Sequence, residues 1–211
     1  MSSKTVLILT DSIANPRSFP KIDATGIDET YPYILRKTFP DYLFWQLSLG
    51  DATSSILYSQ AVSYLNQSNP EFIIIHAGLN DCRPKMPSLI IRKLLNFLPF
   101  LRKRMAFNSR SNVSKSQFQR TVKKFKANFP KANILWLEIC AGKDYHNDRP
   151  GFEIHSNEFN KILSANLNQN FVLVYEKILD IGGFNSDQLH WNKKAHKIVG
   201  DILIKKIQNA K

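Results

Sequence analysis

Thr5-Val6-Leu7-Ile8-Leu9-Thr10-Asp11-Ser12 is an apolar run of strand length that stops at an acid and a hydroxyl. An uninterrupted apolar run without polar alternation predicts a strand covered on both faces, as in a parallel sheet flanked by helices. Outward from it the same unit recurs. Residues 42–49, 72–77, 133–139 and 171–175 read as further strands. Residues 28–39, 52–66, 89–105, 115–129 and 155–168 read as the helices between them, and 192–208 closes the chain. Pro40, Pro70 and Pro130 each follow a helical pattern and precede a strand, where a residue without an N–H ends a helix.

Strands alternating with helices predict an α/β fold, a three-layer α/β/α sandwich around a five-stranded parallel sheet. At 211 residues, 43% hydrophobic and 22% charged, the chain has the length and composition of a single globular domain spanning 1–211. Ligands of such sheets bind outside the carboxyl ends of the strands, so chemistry is expected in the loops that follow them.

Asp11-Ser12 follows the first strand, Gly50-Asp51 the second and Gly78-Leu79-Asn80-Asp81 the third, while Asp187-Gln188-Leu189-His190 comes after the fifth. A serine hydroxyl is a weak nucleophile without a base, and His190 is the expected base for Ser12. Asp187, three residues earlier, can accept from the other ring nitrogen and fix the tautomer. A tetrahedral intermediate needs preorganised donors, and Ser12 N–H, Gly50 N–H and the Asn80 side-chain amide are the expected oxyanion hole. Structural readings stand beside these: Ser12 as a helix N-cap, Asp187 and His190 as a capping acid and a surface histidine, Gly50 and Gly78 as turn glycines, Asn80 as a turn residue. No Gly-x-Ser-x-Gly string occurs, which argues against the nucleophile elbow of the α/β-hydrolase fold.

In order along the chain, Leu7-Ile8-Leu9-Thr10-Asp11-Ser12, Leu49-Gly50, Gly78-Leu79-Asn80-Asp81 and Asp187-Gln188-Leu189-His190 resemble the four blocks of the SGNH/GDSL hydrolase superfamily, named for its Ser, Gly, Asn and His. The resemblance spans the whole chain. It implies a flavodoxin-like sheet and ester hydrolysis by a catalytic triad of Ser12, Asp187 and His190 or, as in some members, acyl transfer between alcohols. Thr10 stands where the family usually has Gly, so it is expected in a β-type conformation. The string His76-Ala77-Gly78-Leu79-Asn80-Asp81-Cys82-Arg83-Pro84 is similar to small members associated with bacterial surface-polysaccharide assembly. That likeness implies an O-acyl group on a sugar as substrate.

The net charge of +12 is local. Between Cys82 and Leu137 stand 14 of the 29 Lys and Arg and none of the 17 Asp and Glu. Residues 84–131 combine 13 of these cations with Leu94, Leu98, Leu101 and other apolar positions, and are expected to form an inserted basic helical segment. Because it follows the strand leading to Asn80, it is placed as a lid or wall of the cleft. The alternative is a solvated basic face over a core helix. The partners it suggests are an anionic glycan, or an anionic membrane met peripherally through 89–126. With no recognised nucleic-acid module, the sequence argues against nucleic acid.

Cys82 and Cys140 are too few for a disulfide framework and read as reduced packing residues. With no apolar run of membrane-spanning length, a cytoplasmic protein is expected. His76 reads as a satisfied core histidine and Asp11 as a shaper of the nucleophile turn. His146, within a polar stretch at 144–148, and His155 beyond it match no metal motif, so neither metal nor cofactor is expected. Three functions fit the sequence. The first is a serine esterase acting on an O-acyl ester of a carbohydrate or other small acylated substrate. The second is an O-acyltransferase using the same residues on a surface-glycan sugar, and the third a non-catalytic binder of anionic glycan or lipid.

Overall fold

The structure, a computed structural model, describes residues 4–65, 69–85 and 110–210. Five strands, β1 (Lys4–Thr10), β2 (Tyr42–Ser48), β3 (Phe72–His76), β4 (Asn133–Leu137) and β5 (Phe171–Val172), make one parallel sheet in the order β2-β1-β3-β4-β5. Residues 5–10 and 72–76 are buried throughout, as their unbroken apolar runs require.

The described helices are α1 (Tyr31–Thr38), α2 (Ser54–Leu65), the single turn α3 (Leu79–Cys82), α4 (Lys115–Asn128), α5 (Lys143–Asp148), α6 (Pro150–Leu167), α7 (Tyr175–Asp180) and α8 (Lys193–Asn209). Among them α1 packs on α8, and α4 packs between α2 and α6. Strand alternation puts these two groups on opposite faces of the sheet. Ile75 and Trp136 are register partners, and the Trp136 ring meets Phe118 and Phe125 of α4. His76, one residue on and therefore facing the other way, meets Tyr31 of α1 and stacks on Trp191, just before α8. The result is the three-layer α/β/α sandwich expected. Phe118, Phe125, Trp136 and Phe159 are fully buried, each worth about 2–3 kcal/mol of apolar transfer.

Several boundaries differ from expectation, each for a local reason. The helix expected at 28–39 begins at Tyr31, because Thr30 is extended at its N-cap and Pro32 sits in its first turn. The helix expected at 155–168 begins at Pro150, again with proline in the first turn, and residues 143–148 form α5 rather than a loop. β5 stops after two residues because the Glu138 carboxylate takes the N–H groups of Val174 and Tyr175 at 2.9 and 2.8 Å, turning the chain into α7.

Of the basic stretch at 84–131, the helix expected at 89–105 lies outside the described residues, with everything from 86 to 109. Within the remainder, α4 is the crossover helix between β3 and β4. Its apolar stripe of Phe118, Val122 and Phe125 is in the core, while Lys115, Arg120, Lys123, Lys124 and Lys126 face solvent. The described part of 89–126 therefore offers cations, not apolar side chains, to a partner.

Candidate active site

Sheet register brings the chemistry together. Ser48, Thr10 and His76 lie side by side as the last residues of β2, β1 and β3. Two residues beyond each come Gly50, Ser12 and Gly78, so three loops leave the same edge in step. Cross-strand bonds hold the exits: Leu49 N–H donates to Thr10 O at 3.0 Å, and Asp11 N–H to His76 O at 3.1 Å. Thr10 ends β1 as a buried β-type residue, its hydroxyl donating to Asp11 O at 3.0 Å, so it accommodates the turn in the place of glycine. Gly78 does need its hydrogen. Its φ is +124°, and a Cβ there would lie 2.3 Å from Ile139 Cδ1.

The fourth loop arrives after α7. Gln188, at φ 57°, turns the chain so that Asp187 and His190 face one another, and its carbonyl is anchored by Gly142 N–H at 2.6 Å. Ser12 Oγ lies 3.0 Å from His190 Nε2, and His190 Nδ1 lies 2.7 Å from Asp187 Oδ2. Asp187 Oδ1 accepts from the N–H groups of Leu189 and His190 at 3.0 and 2.9 Å. Partial burial pushes the Asp187 carboxyl up. The hydrogen bonds from the His190 ring and from the backbone N–H groups of His190 and Leu189 outweigh it and hold the carboxyl well below its ordinary range. An ionised carboxylate only accepts, so Nδ1 carries the ring proton and Nε2 is left to accept from the Ser12 hydroxyl.

Among the described residues, the N–H groups of Ser12 and Gly50 donate to no protein acceptor. Asn80 is buried, and its Nδ2 spends one N–H on Ala52 O at 3.2 Å, leaving the second for a ligand. These are the three expected oxyanion donors; the register and the Asn80–Ala52 bond bring their loops to one edge.

Two buried acids brace this edge. Asp81 caps α2 from across the chain, accepting Ser54 N–H at 2.8 Å and the Ser54 hydroxyl at 2.6 Å. Burial still pushes its pKa to about 6. Asp11 accepts Ile13 N–H at 3.0 Å, which shapes the turn after Ser12, and burial pushes its pKa from 3.8 to about 7. The folded chain therefore keeps a proton that the unfolded chain has lost between those values, and Asp11 costs stability as pH rises through that window. Asp11→Asn retains an oxygen for Ile13 N–H and removes the cost. Thermal melts are expected to show a higher Tm for the variant at pH 8, with a gain that shrinks on acidification and is absent below about pH 4. A gain of the same size at every pH contradicts this account of Asp11.

The remaining candidates settle into structural places. His76 is buried against Trp191 at 4.2 Å, and burial lowers its pKa to about 3. Its Nδ1 makes no hydrogen bond among the described residues, so the expected satisfaction is incomplete. Cys82 and Cys140 are buried free thiols whose pKa values burial raises. His146 and His155 lie near Glu153 and Glu158, and the described residues hold no cluster of metal-binding side chains. A groove touching Phe72, Asn133, Lys177 and Lys205 opens at the amino ends of the strands, away from Ser12.

Sequence reasoning missed two sets of residues. Arg17 Nη1 lies 2.9 Å from Asp187 Oδ2, and Asp23 accepts from Ser186 N–H at 3.1 Å and from the Ser186 hydroxyl. Asn112 Nδ2 donates to Asn80 O at 3.0 Å, beside an antiparallel bridge between Pro84 and Ser111 that closes the neck of the basic segment. These contacts join residues far apart in sequence, and no motif signals them.

Fold and site together define an α/β/α sandwich with a Ser-His-Asp hydrogen-bonded relay at the carboxyl edge of its sheet. No protein-family model and no curated protein sequence matches the chain. Solved structures match its fold over nearly its full length. A lipase/acylhydrolase from Enterococcus faecalis is 11% identical, with 98% of this chain and 96% of that one covered and a TM-score of 0.66. The psychrotrophic esterase EstA from Pseudoalteromonas sp. is 20% identical, covering 98% and 97%, with a TM-score of 0.61. An acetyl xylan esterase from Geobacillus stearothermophilus is 15% identical, covering 98% and 95%, also at 0.61. The chain shares with these lipases and esterases a three-layer fold around a parallel sheet.

Proposed function

We propose that the chain is a serine esterase with Ser12 as nucleophile, His190 as general base and Asp187 holding the base. One observation carries the reading: the unbroken run from Ser12 Oγ to His190 at 3.0 Å and from His190 to Asp187 at 2.7 Å. Ser12 Oγ attacks the ester carbonyl while His190 Nε2 takes the hydroxyl proton. Ser12 N–H, Gly50 N–H and Asn80 Nδ2 receive the charge on the former carbonyl oxygen. Collapse expels the alcohol, protonated by His190, and leaves an acyl-Ser12 ester. Water, deprotonated by His190, then releases the acid and restores the hydroxyl.

The substrate is a small acylated molecule, in our reading an O-acyl ester on a carbohydrate. Ser12 is half-buried and Gly50 exposed, which leaves room for a bulky alcohol. The shared fold of an acetyl xylan esterase supports the same class. Lys85 and Arg110, exposed at the neck of the basic segment, suit an anionic glycan of the kind handled in surface-polysaccharide assembly. Two buried free thiols suit a reducing cytoplasm.

The test is turnover of p-nitrophenyl acetate and acetylated sugars before and after labelling by one equivalent of a fluorophosphonate. Both activities are expected to disappear in step with labelling. Turnover that survives full labelling contradicts the reading, and an acylated acceptor sugar in place of free acid identifies acyl transfer.

A further inference from the structure

The loop after the nucleophile is tied to the loop that carries Asp187 and His190. Arg17 and Thr25 exchange backbone hydrogen bonds at 2.9 and 2.8 Å, closing the first loop on itself. From that closed loop two side chains cross over. Asp23, buried, holds Ser186 by its N–H and hydroxyl, and Arg17 Nη1 reaches Asp187 Oδ2 at 2.9 Å. Oδ2 is also the oxygen that accepts from His190 Nδ1. The Asp187 carboxylate thus receives four hydrogen bonds, and its rotamer is fixed from two loops.

We propose that Arg17 is a positioning residue of the relay: it locks the Asp187 carboxylate in line with the imidazole and, by sharing Oδ2, limits how strongly that carboxylate holds a protonated His190. This inference rests on the esterase reading for its kinetic effect, not for its electrostatic one. Among the described residues, the charged and titratable groups around the imidazole are Asp187 on its own loop, Arg17 across the gap and His76 on β3. Of these, Arg17 bears the permanent positive charge, and removing it leaves the Asp187 charge less neutralised and the imidazolium better held.

Arg17→Met and Arg17→Lys test the proposal in two ways. In Arg17→Met, kcat is expected to fall about tenfold with KM within about twofold, from a looser relay. The acid limb of its kcat/KM profile is expected to move to higher pH. Arg17→Lys restores the charge but not the fork, so the limb returns while kcat recovers only in part. Titration of the His190 imidazole by NMR, assigned by its loss in His190→Gln, is expected to show the same upward shift in Arg17→Met, with or without turnover. An unmoved or downward titration overturns the inference, as does a kcat loss with an unmoved acid limb. If the wild type lacks esterase activity but the NMR shift appears, the functional reading fails and the role of Arg17 stands.

Discussion

Replacing Ser12 with Ala is expected to lower kcat for an aryl ester by about ten-thousandfold or more, to a residue supported by the oxyanion donors alone. The size follows from the relay. In the proposed mechanism no acyl-enzyme forms without Oγ, and His190 and Asp187, at 3.0 and 2.7 Å in series, have no nucleophile to serve. Stability is expected to change little, because among the described residues the Ser12 hydroxyl hydrogen-bonds to His190 alone and the turn is shaped by Asp11. His190→Ala is expected to cost about as much, and the double variant little more, since the pair acts as a unit. Steady-state kinetics on the three variants checks this; additive losses contradict it.

Replacing Asn80 with Ala is expected to lower kcat about 100- to 1,000-fold with KM little changed, the signature of a donor that acts on the transition state. The side chain is buried and tied to Ala52 O, and Asn112 holds its backbone carbonyl, so the proposed donor is fixed before substrate arrives. Fixed donors avoid reorganisation as charge develops, which is why a neutral amide can have so large an effect. A loss below about fivefold, with the fold intact by circular dichroism, removes Asn80 from the oxyanion hole.

The parts of this molecule legible in its sequence are those written in short-range pattern. Residues 5–10 and 72–77 announce buried strands by lacking polar alternation, and β1 and β3 occupy nearly those positions. Once the strands are placed, their carboxyl ends name Ser12, Gly50 and Asn80 as candidates, because parallel connectivity leaves little freedom in where the loops emerge. Elements defined by one distant contact were not legible. The length of β5 depends on Glu138 reaching Val174 and Tyr175, about 36 residues away. Asp81 reads as part of a Gly-Leu-Asn-Asp block, yet its carboxylate caps α2 through Ser54, which comes earlier in the chain. Arg17 sits among unremarkable loop residues and meets Asp187 only because two loops at opposite ends of the chain cross the same sheet edge. Proline at 150 starts a helix in the structure, while the sequence pattern places that start five residues later.

The central claim is that Ser12 carries the acyl group. Its most direct measurement is the intact mass of the protein after brief exposure to a panel of acylated sugars and aryl esters, quenched in acid and followed by peptide mapping. The account predicts one acyl adduct per chain, on Ser12, absent in Ser12→Ala and lost with time at neutral pH. An adduct on another residue, or full turnover in Ser12→Ala, contradicts it.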